Sequence, residues 1–277
     1  MLPLLLALGT AAGYGVANYL APVLGRRMPL GAVLLGGQVA GLAVSVLLTL
    51  GADVTMTGTG LALALAAGAA NAGALACFYR AGRTGNLSVI SPIGASGAVV
   101  PVLVGLAAGD RPGPLQTLGI PLVLAGVVLA ARRAAGPGTG PRTEGIGWAL
   151  GAAVLFGTFL ATYAGAAADT SAGALLWSRV ALVVATGTGI ALLRAPVRVP
   201  PRDGALVLVP GLLLALGTFA FGEATRSGLL SVVSVIATLN PVVTVALAFV
   251  LLRERPSPVQ RAGAALALAG IVLLATG

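Results

Sequence analysis

Ten apolar runs, most of them close to twenty residues long, fill nearly the whole chain: roughly 2–22, 29–50, 59–79, 87–108, 115–131, 146–168, 174–193, 205–223, 229–252 and 259–276. A helix needs about 20 mostly apolar residues to cross the hydrocarbon core of a bilayer. Only 8% of the residues are charged, against about 25% in a soluble domain, so the chain has too little polar surface to cover a water-soluble globule. Apolar segments can span lipid only as helices or as a closed barrel. A barrel strand would alternate polar and apolar residues, and runs such as LVLAGVVLA show no alternation. The expected fold is an all-α integral membrane protein of ten transmembrane helices.

The chain also repeats itself. RERPSPVQRAGAALALAG (253–270) matches GDRPGPLQTLGIPLVLAG (109–126) at nine of eighteen places, 144 positions apart. ALGTAAGYG (7–15) pairs with ALGAAVLFG (149–157) at an offset of 142, and AGRTGNLSVISPI (81–93) with ATRSGLLSVVSVI (224–236) at 143. The chain therefore divides into two five-helix units, 1–131 and 146–277, joined by a Pro- and Gly-rich linker at 132–145. Five is odd, so the second unit enters from the opposite face, and the two form inverted repeats. The first twenty residues lack the basic start of a signal peptide, and their likeness to 149–157 assigns them to the mature fold. Thirteen of the 16 Arg lie in or beside odd-numbered connections, and Arg111 and Arg226 in even-numbered ones. That excess places the odd connections in the cytoplasm and both termini outside.

Inverted repeats around a central site are the usual build of a secondary transporter. The motifs Glu254-Arg255-Pro256, Gln260, Gly263, Ala269-Gly270 and Asn240-Pro241, with Asp110-Arg111-Pro112, Gln116, Gly119 and Ala125-Gly126 in the first half, point further. Together with the ten-helix pattern they make the chain resemble the EamA-type family of the drug/metabolite transporter superfamily, over essentially its whole length. The resemblance implies import or export of a small metabolite, such as an amino acid or a related compound. It implies a central cavity lined by helices from both repeats. It also implies both termini in the cytoplasm, opposite to the Arg count.

Polar residues within spans are costly and usually face a cavity. The candidates for substrate contact are Tyr14, Asn18, Gln38, Asn71, Ser91, Phe156, Trp177, Arg179, Thr218, Glu223, Ser234 and Asn240. The amides of Asn18, Gln38 and Asn71 can bind substrate or join helices. Tyr14 and Phe156 align between the repeats as paired walls. Ser and Thr hydroxyls, those of Ser88, Ser96, Thr158, Thr162, Ser231 and Thr238 among them, can equally satisfy their own helix carbonyls. Arg179, about six residues into its span, either snorkels to the interface or meets an anionic group. Glu223, at the end of its span, either pairs with Arg226 or serves as a cavity-facing acid. Pro92, Gly94, Gly97, Pro101 and Pro241 break the fourth and ninth spans and mark hinges. Gly9/Gly13, Gly37/Gly41 and Gly147/Gly151 read as packing seams.

The chain contains no His and one Cys, Cys77. No phosphate-binding loop appears, and the seven acidic residues are scattered singly. The reading is thus a carrier working by alternating access, not an enzyme. A channel-like or structural subunit is the alternative, and a membrane-embedded lipid enzyme a more distant one. No cofactor and no metal are called for. The partners are a small-molecule substrate and the lipid bilayer, with no nucleic acid, since the Arg flank spans instead of forming a basic patch. The chain is read as a monomer or homodimer, multi-pass in the cytoplasmic membrane of a bacterium.

Overall fold

The computed structural model describes residues 1–25, 29–84, 93–131, 145–194, 197, 204–252 and 257–276. Among these every regular element is helical: α1 Leu2–Gly25, α2 Leu30–Thr49, α3 Gly58–Thr84, a 3-10 turn at Ser96–Ala98 leading into α4 Val99–Ala107, α5 Pro114–Ala130, α6 Ile146–Ala167, α7 Ser171–Leu192, α8 Gly204–Ser227, α9 Leu230–Ala237, α10 Asn240–Leu252 and α11 Pro258–Thr276. Seven helices are long and apolar enough to cross a membrane: α2, α3, α6, α7, α8, the α9–α10 pair and α11. The ten expected spans fall on these seven, on α1 and on two shorter apolar helices. Ile93–Ala107 and Pro114–Ala130 are apolar but shorter, and α1 is a further helix of 24 residues. The linker expected at 132–145 lies, apart from Gly145, outside the described residues.

The duplicated motif builds the same helix start twice. Pro114 and Pro258 open α5 and α11, where a missing N–H costs nothing and φ is already helical. Two residues on, the Gln116 Oε1 accepts from the Gly113 N–H (3.1 Å) and the Gln260 Oε1 from the Ser257 N–H (2.9 Å). Each Gln satisfies one of the backbone donors orphaned at a helix start. Past these caps the two helices run against each other through glycine. A Cβ on Gly119 would stand 2.9 Å from the Gly270 carbonyl oxygen, and one on Gly263 2.8 Å from that of Gly126. Backbones this close exclude any side chain, so the matched glycines are required by contact.

The matched Pro, Gln and Gly positions of the repeat motif thus have physical causes, and so do the breaks in the fourth and ninth spans. The 3-10 turn at Ser96–Ala98 and the turn at Thr238–Leu239 interrupt their spans nearly 143 positions apart. Gly97 is buried there, Pro101 is buried in α4, and Pro241 sits in the first turn of α10. Gly94 is half-buried against the Phe78 ring, and Pro92 lies outside the described residues.

The two halves interleave. α1 lies against α8 and α10, while α6 lies against α3 and α4; α2 and α7 touch each other and, respectively, α8 and α3. Small residues let the helices approach. Gly15 meets the Asn240 carbonyl (3.0 Å to a built Cβ) and Val243; Gly157 meets Gly97 and Val100. Gly211 meets Gly37 and Ala40; Gly68 meets Ser178 and Ala181. Of the proposed seams, Gly13, Gly41 and Gly151 do contact neighbours, but Gly9 and Gly147 face open space. The interior is rich in buried Ala, with an aromatic group of Phe159, Tyr163 and Phe221. The outside carries exposed Leu and Val, among them Leu47, Leu103, Leu118, Val184 and Val250, as a lipid-facing surface does.

One end of the bundle is tied across the halves. The Thr57 N–H and hydroxyl both donate to Asp169 Oδ2 at 2.8 Å, and the Thr170 hydroxyl donates to the Asp53 carbonyl at 2.8 Å. The Ser231 N–H donates to Asp110 Oδ2 at 2.7 Å. Four even-numbered connections or their flanks meet at this end.

Candidate functional site

Four of the sequence candidates, from four helices, meet in one buried cluster. Arg179 projects from α7 and is 3% exposed. α7 begins at Ser171, earlier than the apolar pattern indicates, so Arg179 is its ninth residue, about 12 Å from the start. Its guanidinium turns inward, and the snorkelling alternative is corrected accordingly. Arg179 Nη1 donates to Gln38 Oε1 on α2 (3.1 Å), and Nη2 donates to the Leu214 carbonyl and to Thr218 Oγ1 on α8 (2.8 Å each). The Thr218 hydroxyl lies 2.8 Å from the Tyr14 hydroxyl of α1 and donates to the Leu214 carbonyl at 2.6 Å. Gly41 leaves room for the guanidinium: a built Cβ there would be 3.5 Å from Nη1.

Tyr163, fully buried on α6, adjoins this cluster. Its ring packs between Phe159 and Phe221, one turn along α8 from Thr218, and among the described residues its hydroxyl has no hydrogen-bond partner. Tyr163 is not among the candidates drawn from the sequence. Thr10 escaped notice altogether. It donates to the Gly217 carbonyl at 2.9 Å and extends the polar contact of α1 with α8.

The remaining candidates lie elsewhere. Glu223 is half-buried inside α8, which continues to Ser227, so it is not at a helix end. Arg226 does not pair with it. Arg226 Nη1 instead donates to the Ala167, Ala168 and Asp169 carbonyls (2.7, 3.1 and 3.1 Å), capping the end of α6 where carbonyls lack helical partners. Trp177 is exposed, being two residues from Arg179 and so on another face. Asn18 is exposed on α1, and Asn71 is half-buried on α3. Phe156 packs edge-on against Phe78, with ring centroids 6.4 Å apart. Ser234 is buried on α9 with an unpartnered hydroxyl, like Ser231 and Ser171. Asn240 starts α10 and offers its carbonyl to Thr244. Ser91 and Ser88 lie outside the described residues.

The geometry is that of a multi-pass α-helical membrane protein whose halves meet around a buried cationic, hydroxyl-rich centre. Residues 143–276 match the model of the EamA-like transporter family. That match covers the second half of the chain, a unit of the EamA type within the drug/metabolite transporter superfamily. No curated protein matches the sequence. Among solved structures, one titled only "Crystal structure of protein" superposes with a TM-score of 0.78 at 17% identity, covering 98% of this chain and 95% of the other. At that identity the likeness speaks for the fold alone.

Proposed function

We propose that the chain is a secondary transporter that moves a small organic metabolite across the cytoplasmic membrane of a bacterium by alternating access, with ten spans arranged as inverted repeats over 1–131 and 146–277. One observation carries this reading: the contacts come in exchanged pairs. Gly119 faces Gly270 and Gly126 faces Gly263, although Gly119 corresponds to Gly263 and Gly126 to Gly270. Residue against partner's counterpart, twice, is the signature of a two-fold axis. Gly15 with Asn240 and Val243 answers to Gly157 with Gly97 and Val100 in the same way. An arrangement in which the halves can exchange conformations opens a central site to either face in turn. The site assigned here is Tyr14, Gln38, Arg179 and Thr218, with the breaks near Gly97 and Pro241 as the bending points.

Counterflow in proteoliposomes tests the proposal. Saturable exchange of a labelled metabolite marks a carrier, unsaturable flux a channel, and turnover without flux an enzyme. Glu223 is the one acid among the described residues that lies inside a long span, which makes it the group for proton coupling where a pH gradient accelerates flux. Glu223→Gln then abolishes the acceleration; an unchanged response removes Glu223 from that role.

A further inference from the structure

Among the described residues the charge of Arg179 has no counter-ion. Its three hydrogen bonds go to an amide oxygen, a backbone carbonyl and a hydroxyl, all neutral. Among the described residues no carboxylate lies within ion-pair distance. A guanidinium carries five N–H donors, so two remain beyond these three bonds. A buried charge without a counter-charge is expensive in any protein interior and more so within a bilayer. A residue serving only to join helices would do so without the charge, as Gln38 illustrates. A shift of 141 positions takes Gly37 to Ser178 and Ala40 to Ala181, the pairs that face Gly211 and Gly68, and it takes Gln38 to Arg179. The corresponding place in the first half thus holds a neutral amide.

We infer that Arg179 binds the carboxylate of the transported metabolite, an inference that rests on the carrier reading. The carboxylate supplies the missing negative charge and accepts from the guanidinium through two oxygens. Gln38, on the opposite half, yields its bond as the carboxylate takes it. The hydroxyls of Tyr14 and Thr218 lie at the same spot, and the buried, unpartnered hydroxyl of Tyr163 belongs to a ring packed on Phe221, one turn along α8 from Thr218. A single guanidinium with hydroxyl neighbours suits one negative charge. A phosphate dianion would need a second cation, and the described part of the cluster holds none.

The test uses the purified full-length protein in detergent and thermal unfolding. The probes are sodium salts of small carboxylates, including keto acids and α-amino acids, against their primary amides and sodium chloride at equal ionic strength. At least one carboxylate is expected to stabilise the wild type in a saturable way, and its amide is not. Arg179→Gln is expected to lower apparent affinity at least tenfold. Because that variant also removes a tie between α7, α2 and α8 on which folding draws, Gln38→Glu is the second arm. It places a carboxylate beside the guanidinium, and it is expected to fold, to melt higher than wild type and to lose the response. Indifference of the wild type to every carboxylate, or a wild-type response in folded Gln38→Glu, overturns the inference. Saturable counterflow of amines or amides without preference for carboxylates sinks this assignment while leaving the carrier reading. Absence of saturable flux for any solute sinks the carrier reading itself.

Discussion

Two helix contacts that the proposed repeat makes equivalent, α1 with α8 and α6 with α3, are held by different chemistry. Between α1 and α8 the Tyr14 and Thr218 hydroxyls meet at 2.8 Å and Thr10 donates across to the Gly217 carbonyl. Between α6 and α3 the corresponding side chains are Phe156 and Leu75. There Phe156 stacks edge-on against Phe78, Leu155 covers Gly73, and Cys77 lies 3.6 Å from the Cβ position of Gly151. At the end of this contact Arg80 sits over the Trp148 ring, 5.0 Å from its centroid. The backbones approach similarly in both, since small residues set the spacing. The difference teaches that the duplicated scaffold tolerates either solution, and that the polar one exists on one side only, where Arg179 needs acceptors. Most buried hydroxyls in proteins are paired, because leaving one unpaired costs free energy. Where Tyr gives way to Phe and Thr to Leu, that demand vanishes, and with it the means to hold a cation.

The largest effect is expected from matched glycines on the other faces of α3 and α8, where these helices meet α7 and α2. Gly68→Leu and Gly211→Leu each drive a side chain into facing backbone, and overpacking of this kind costs about 3 kcal/mol or more when backbone must move. Both should lose most of their monodisperse yield on gel filtration. Wild-type yield from only one of them breaks the equivalence of the α3–α7 and α8–α2 contacts, and with it that of α3 and α8.

Next comes Thr218→Val, which deprives Tyr14 of its partner and Arg179 of an acceptor. A hydrogen bond to a charged group contributes about 1.5–3 kcal/mol, so a loss of about 2–3 kcal/mol in denaturant unfolding is expected. Leu75→Val at the corresponding place should cost less than about 1.5 kcal/mol. Similar losses at both positions show that the hydroxyl is mere packing.

A swap of the aromatic pair sharpens the contrast at lower cost. Tyr14→Phe removes one neutral hydrogen bond and should destabilise by about 1 kcal/mol. Phe156→Tyr puts a hydroxyl among Phe78 and Leu155 without a partner, and should cost about as much or more. A neutral Phe156→Tyr, read by thermal unfolding, means that the α3–α6 contact is less apolar than the packing implies.

The smallest effect concerns the tied end. The Thr57 hydroxyl and N–H hold the Asp169 carboxylate below the ordinary Asp range, as Thr55 does for Asp53. A carboxylate with a depressed folded-state pKa contributes its stability above the unfolded value, and that contribution fades as the pH falls through the folded one. Asp169→Asn should therefore melt slightly below wild type at pH 7, and the gap should close below about pH 4. A gap unchanged by acid rules out the ionised tie.

Most helices were legible in the sequence because the bilayer's length requirement acts on composition alone. The duplicated caps were legible too: Pro114, Gln116, Pro258 and Gln260 act within one turn of their own helix, so spacing along the chain suffices. Helix ends were less so. α7 starts at Ser171 and α8 runs on to Ser227 because small and polar residues extend a helix without extending its apolar run, and those few residues move Arg179 away from the interface and Glu223 into the helix. Which polar side chains meet was decided by tertiary structure alone. A helix in lipid is apolar on every face, so its periodicity does not mark the face that turns inward. Asn18 and Gln38 looked alike for that reason, as did Trp177 and Arg179. The rotation of α1, α2, α7 and α8 about their axes, set by where glycine lets neighbouring backbones close, brought Tyr14, Gln38, Arg179 and Thr218 together and left Asn18 and Trp177 facing out.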